Sequence, residues 1–221
     1  MSEQNNVYLL GEIIEVLNEE RTRFKLAVKK NETKFDYQVV KLIDNIEDNI
    51  TKISIGRKVF VEGQFATKTK VYEFACPHCC AINEVTFDKA IIISSKITAI
   101  ESEESDAYHN KVIIKGNLCS DPDFSYIPGT RSKVPSCSYT LENDRIYNGK
   151  NRPLITTYAK QAQEDISHLQ TASQILVDGT VNTRKIGRKF QCICCHTERY
   201  AEKELLVIQG NRIEYLANCT F

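Results

Sequence analysis

A Cys-x-x-Cys knuckle occurs twice in this chain, 116 residues apart, and the sequence around it repeats with it. Phe74-Ala-Cys76-Pro-His-Cys79-Cys80 returns as Phe190-Gln-Cys192-Ile-Cys194-Cys195-His196. At the same offset, Val61-Glu62-Gly63-Gln64-Phe65 lies over Val177-Asp178-Gly179-Thr180-Val181, and Lys96-Ile97 over Arg212-Ile213. At the front of each copy the offset falls to 105, where Val7-Tyr8-Leu9-Leu10-Gly11 matches Val112-Ile113-Ile114-Lys115-Gly116. The difference predicts an insertion in the second copy, around 121–132. A repeat of this length is one folding unit used twice, and 221 residues suffice for two cores of about 100 residues each. We expect a first domain over 1–102 and a second over 110–221. The acidic, small-residue stretch about Glu101-Ser-Glu-Glu-Ser-Asp-Ala107 reads as a solvated linker, placed at 103–109.

Short runs rich in β-branched and aromatic residues, at 7–16, 23–30, 36–42, 58–67 and 87–99, read as strands separated by polar or Gly-containing turns. Five strands per copy is the count of a small Greek-key barrel of the OB type. Between the third and fourth strands, 44–55 and 161–172 space apolar residues by three and four, which predicts one short helix per copy. The expected fold is therefore all-β: two tandem OB-fold barrels, each with one short helix and an extended hairpin tipped by a knuckle.

No apolar run approaches the roughly 20 residues that span a bilayer, and the start is not that of a secretory signal, so a cytoplasmic protein is expected. In a reducing compartment the nine cysteines are thiols or metal ligands rather than a disulfide framework. Two Cys-x-x-Cys pairs supply four thiolates, the ligand number of a tetrahedral structural zinc. Each pair alone is half a site, because 81–90 and 197–206 contain no Cys or His. Either both hairpins meet on one zinc, or each pairs with a second chain, or local residues complete each site. The neighbours Cys80, Cys194, His78 and His196 are sterically poor ligands, which leaves Cys76, Cys79, Cys192 and Cys195. A redox dithiol would open a helix after a strand, whereas these motifs lie between strands. Cys119, Cys137 and Cys219 have no ligand spacing, and His109 and His168 stand alone.

Asn110-Lys111-Val112-Ile113-Ile114-Lys115-Gly116-Asn117-Leu118, then Asp121-Pro122 and Tyr126-Ile127-Pro128-Gly129-Thr130, resembles the opening of the bacterial single-stranded DNA-binding protein family. Phe24 to Lys30 looks like that family's second strand, and Val61-Glu62-Gly63 and Val177-Asp178-Gly179 like its fourth. The resemblance implies single strands laid over a barrel face, with bases stacked on aromatic rings and phosphates met by Lys and Arg. It places a stacking ring at Tyr158, with Arg152 close by in sequence; Leu42 stands at that position in the first copy. The family's acidic tail does not follow Asn218-Cys219-Thr220-Phe221, which leads us to expect a version carried by a phage, plasmid or other mobile element.

The hairpins add Lys68, Lys70, Tyr72 and Phe74 in the first copy and Arg184, Lys185, Arg188, Lys189 and Phe190 in the second. Basic residues interleaved with rings suit a single strand; the bland alternative is a solvated hairpin whose charges guard an edge. Phe24 and Tyr139 read as core, and Tyr8 could turn inward too. Net charge is zero, but residues 107–221 hold 15 basic against 11 acidic side chains while 1–106 hold 14 against 18, so the second barrel is expected to dominate binding.

The leading function is thus sequence-tolerant binding of single-stranded DNA in replication or transfer. The alternatives are single-stranded RNA binding, or an adaptor whose barrels hold replication proteins such as a polymerase, primase or helicase. No paired carboxylates, activated nucleophile or phosphate-cradling Gly loop argues for an enzyme. The duplicated architecture is compatible with a pseudo-dimeric monomer or with a homodimer.

Overall fold

In the computed structural model the described residues are 4–100, 109–127, 133–144 and 149–220, so the expected linker, except His109, lies outside them. The first copy forms β1 (Asn5–Val16), β2 (Arg23–Lys29), β3 (Phe35–Leu42), α1 (Ile46–Ile50), β4 (Lys58–Ala75) and β5 (Ile82–Ala99). The second forms β6 (Asn110–Leu118), β7 (Asp123–Tyr126), β8 (Pro135–Asp144), β9 (Lys150–Asn151), β10 (Leu154–Tyr158), α2 (Ala159–His168), β11 (Gln174–Gln191) and β12 (Glu198–Ala217).

Period-two alternation builds the barrel walls: on β2, Phe24, Leu26 and Val28 are fully buried while Lys25 points outward. β1 pairs with β2 and β4, β2 with β3, β3 in parallel with β5, and β5 with β4, which closes the first barrel. β6, β8, β10, β12 and β11 close the second in the same order. Tyr139, like Phe24, lies in the core.

Two strands go beyond the expected five per barrel. β9 and β10 are one strand in a single register on β8, interrupted at Arg152-Pro153. Proline has no N–H for the ladder, and here its carbonyl accepts from the Leu141 N–H instead. β7 comes from the insertion and adds an edge strand to β8; 128–132 lie outside the described residues.

The helices differ from expectation in length and position. α1 stops at Ile50 because β-branched Thr51, Ile53 and Ile55 form helix poorly, and leaving it lets Ile53 enter the core at 1% exposure. α2 starts earlier than expected, since Ala159-Lys160-Gln161-Ala162-Gln163-Glu164 are strong helix formers. It ends where buried Leu169 turns extended.

The repeated Val-acid-Gly has a structural cause. The β4–β5 register shifts between Glu62 and Gly63, and the β11–β12 register between Asp178 and Gly179, so both copies bulge at the same place. A Cβ on Gly63 would strike the Ile93 carbonyl, and one on Gly179 the Gln209 carbonyl, so only glycine fits where each strand bends out of its barrel.

The two copies meet along an antiparallel β1–β6 seam in which Val7 faces Val112, its own repeat equivalent. An antiparallel pair of equivalent residues marks a local twofold axis. Polar side chains obey it too. Asn5 donates to the Phe65 carbonyl and accepts from the Phe65 N–H, at 2.9 and 3.0 Å. Asn110 does the same with Val181, at 2.8 Å each way. Across the seam, Asn151 accepts from Thr67 of the first copy while Asp36 accepts from Thr183 of the second. These bonds satisfy backbone groups that burial would otherwise leave unpaired.

Candidate metal centre and nucleic-acid surface

β4 and β5 continue beyond the first barrel as a long hairpin, and β11 and β12 do the same beyond the second. The arms pack on each other through a separate small core of Val85, Phe87, Ala201 and Leu205, with Tyr72, Phe74, Ile186 and Phe190 against it. Phe74 and Phe190 bring their ring centres to 6.5 Å, and both Tyr72 and Phe74 contact Phe87.

At the tips the two knuckles are built alike. The Cys76 N–H donates to the Ala81 carbonyl and the Cys80 N–H to the Cys76 carbonyl; Cys192, Thr197 and His196 repeat the pattern. Cys80 and His196 take left-handed conformations, with φ of 59° and 54°, and are exposed. They are turn residues and do not join the cluster formed by the four cysteines at the knuckles' matched positions. Asn83 accepts from the Ile193 N–H at 2.9 Å and so ties one knuckle to the other.

The sulfurs of Cys76, Cys79, Cys192 and Cys195 all lie within 4.8 Å of one another in a single chain. Cys76 Sγ is 3.7 Å from Cys195 Sγ, and Cys79 Sγ 3.5 Å from Cys192 Sγ. A tetrahedron of thiolates about 2.3 Å from its centre has edges of about 3.8 Å, so spacing and donor chemistry fit a four-thiolate metal site.

Electrostatics in the cluster are uneven. The Arg199 side chain beside Cys76, with N–H groups of its own knuckle, lowers that thiol to about 5. Thr197 lowers Cys195 by hydrogen bonding to its sulfur. The Ala81 N–H favours the Cys79 thiolate, but burial and the three other cysteines together push that thiol up to about 12. Four packed thiols cannot all ionise unless a cation sits among them.

The remaining expected contact residues fall into three environments. Tyr72, Phe74 and Phe190 are half-buried between the arms, and Lys203 lies over the Tyr72 and Phe74 rings. Arg188 lies over Phe87, Lys189 pairs with Glu198 at 2.9 Å, and Arg152 pairs with Glu142 at 3.2 Å. Lys68, Lys70 and Lys185 are exposed. On the second barrel, Tyr158 is half-buried at the start of α2, and the Arg184 guanidinium sits 5.1 Å from its ring centre.

Beneath Tyr158, a buried polar network anchors α2. Asp165 is fully buried and accepts from Thr157 at 2.5 Å, Tyr215 at 2.8 Å, Gln161 at 3.0 Å and Tyr139 at 3.2 Å. Burial raises its carboxyl above the usual carboxylate range, although all four donors oppose that shift. The equivalent residue of the first copy, Asn49, is also buried and bonds backbone groups at Ser95 and Ile97. Sequence reasoning missed Asp165, Arg199 and the Asn5 and Asn110 clamps. The polar matches Asn5/Asn110 and Asn49/Asp165 at the repeat offsets were the available signal.

No family model matches the chain. Single-stranded DNA-binding protein 2 of Clostridium acetobutylicum is 29% identical over 85 residues, which are 36% of this chain and 62% of that protein. The single-stranded DNA-binding protein of Clostridium tetani is 24% identical over 106 residues, 47% of this chain and 73% of that one. The matched stretch thus spans less than two thirds of the first relative. In fold, the crystal structure of the single-stranded DNA-binding protein from Thermus aquaticus is similar over 99% of this chain and 95% of its own, with a TM-score of 0.66 at 16% identity. A deletion mutant of the same protein gives a TM-score of 0.67. Among the described residues, no helix is long and apolar enough to cross a membrane.

Proposed function

We propose that this chain, similar in sequence to bacterial single-stranded DNA-binding proteins and in fold to one of them over nearly its whole length, binds single-stranded DNA without sequence preference and without catalysis. The observation that carries this reading is the tandem pair of closed barrels on a common twofold seam, matched in arrangement across 99% of the chain. Tyr158 supports it. A half-buried ring at a barrel surface, backed by the Arg184 cation, offers a π-face for a base beside a charge for its phosphate.

In this reading one zinc per chain sits among Cys76, Cys79, Cys192 and Cys195. Bound there, zinc supplies a cross-link between the hairpin tips and no reaction. Cys76 and Cys79 come from one barrel's hairpin and Cys192 and Cys195 from the other's, so the site can hold the arms at a constant separation. Arg199 offsets part of the charge that four thiolates bring.

A titration of the purified protein against single-stranded DNA, duplex DNA and single-stranded RNA, at two salt concentrations, tests the reading. We expect the DNA single strand to bind tightest, with a footprint of roughly 8–30 nucleotides for two barrels. Preference for duplex would overturn it, and preference for RNA would reassign the ligand. Tyr158→Ala should cost about 1–3 kcal/mol of binding, whereas Tyr158→Phe should retain it, since stacking uses the ring and not the hydroxyl. Equal affinities for Ala and Phe variants of unchanged melting temperature would remove Tyr158 from the contact surface.

A further inference from the structure

The acidic half of the chain carries the more concentrated positive charge. A groove of about 530 Å³ on the first barrel is lined by Arg23 of β2, Lys41 of β3, Lys68 and Lys70 of β4 and Lys89 of β5, with Glu20 as its sole carboxylate among the described residues. Ala66, Ile91 and Ile93 also line it, and among the described residues no aromatic ring does.

Two features set these cations apart from an ordinary solvated face. Arg23 sits directly opposite Lys41 across β2–β3, and Lys68 directly opposite Lys89 across β4–β5. Like charges facing each other across a ladder are destabilising, and here two such pairs face one groove. Among the described residues, none of these side chains is in an ion pair. The crowding also registers on Lys89, whose ammonium is lowered by burial first and then by Lys70 and Arg23.

The second barrel lacks the arrangement. By strand pairing and repeat offset, the counterparts of Arg23, Lys41, Lys70 and Lys89 are Ser138, Thr156, Ile186 and Leu205, and only Lys68 has a cationic counterpart, Arg184. Where the first barrel has cations and no ring, the second has the Tyr158 ring with one cation over it.

We propose that this groove is a phosphate-binding site, and that the two barrels divide the work: the first holds the sugar-phosphate backbone of a single DNA strand through Arg23, Lys41, Lys68, Lys70 and Lys89, while the second holds bases. This rests on the reading of the chain as a single-strand binder and reverses the expectation that the second barrel dominates. Without DNA the opposed cations repel one another; a strand of phosphates between them turns that repulsion into attraction. Bases contribute little there because nothing in the groove stacks on them.

The test compares the full chain with its Lys41→Gln/Lys89→Gln variant, using a normal oligodeoxynucleotide, an abasic one that keeps only the backbone, and inorganic tripolyphosphate. Each lost phosphate contact on a single strand flattens the plot of log affinity against log salt by about 0.7, so the double variant should flatten it by about 1.4. It should lose abasic binding most, and without DNA its melting temperature should stay level or rise as repulsion is relieved. Tyr158→Ala should instead weaken the normal strand with its salt slope intact. An unchanged slope in the double variant, with wild-type binding normal, overturns the groove and leaves single-strand binding standing. If the wild type binds no single strand but takes tripolyphosphate in a Lys41- and Lys89-dependent way, the functional reading fails and the phosphate site stands. Binding to none of the probes overturns both.

Discussion

Replacing Cys192 by serine in the intact chain should take zinc content from one per chain to nearly none, although Cys76 and Cys79 remain. The structure gives the reason: neither knuckle holds more than two of the four sulfurs, and the two close contacts, Cys76–Cys195 and Cys79–Cys192, both cross between hairpins. A pair of thiolates from one hairpin is a weak chelate, and a structural metal contributes its binding energy to folding only where the complete ligand set exists. The barrels close through their own ladders and should stay folded. The arms keep their small shared core, the Asn83–Ile193 bond and the Arg188 and Lys203 contacts with rings of the first hairpin, too little to hold them without the metal, so they should part and be cut by protease between Lys68 and Lys89 and between Arg184 and Leu205. Metal content, molar mass and proteolysis measured together decide the matter. Loss of metal with unchanged mass supports a clamp within one chain, whereas a fall from dimer to monomer would mean that knuckles are shared between molecules. A metal-free wild type would leave the cysteines as thiols.

Asp165→Ala should be among the most destabilising single changes in the second barrel, at roughly 3–5 kcal/mol. It strands the buried hydroxyls of Tyr139 and Thr157 without their acceptor, at about 1–3 kcal/mol each, while the half-buried Tyr215 hydroxyl and Gln161 amide can turn to water. Tyr158 follows Thr157 directly and should lose its seat at the start of α2, so binding should fall with stability. The carboxyl also gives stability a pH dependence of definite sign. Its folded value is raised, so the folded state favours the protonated form. That contribution is complete below the ordinary carboxylate range and is lost as pH rises through the raised value. Denaturant midpoints measured across acidic pH should show this component in wild type and lack it in Asp165→Asn, which cannot ionise. An identical pH profile in the two proteins would assign the slope to other groups.

Legibility of the chain followed the range of the interaction. Local and repeated features could be read directly: alternation gave the barrel strands, and the matched spacing picked out four cysteines that fall within 4.8 Å of each other. Polar arms were read too short, since the fourth strand of the first copy runs to Ala75 rather than 67. Lys68 to Lys70 show no alternation because one face of the hairpin is covered only farther out. Tyr72, Phe74 and Phe190 looked available to bases, and their half-burial depends on a second hairpin distant in sequence. The opposition of Arg23 to Lys41 and of Lys68 to Lys89 depends on ladder register, which shifts every facing pair when it slips by one residue.

The seam where Val7 faces Val112 bears on how such a chain can change over time. Two separate one-barrel subunits joined on a twofold axis would be copies of one sequence, so any substitution would land on both sides of the axis at once, and pairing would weaken on dilution. Joining the halves in one polypeptide makes their encounter intramolecular and independent of protein concentration. It also releases each half from mirroring the other. By strand pairing Leu42 lies over Thr157 rather than Tyr158, and Lys41 over Thr156, so each half holds its own residues there without imposing them on the other barrel. Divergence is tolerated on the outer surfaces. At the axis, where Asn5 and Asn110 make the same paired bonds, the halves still have to agree.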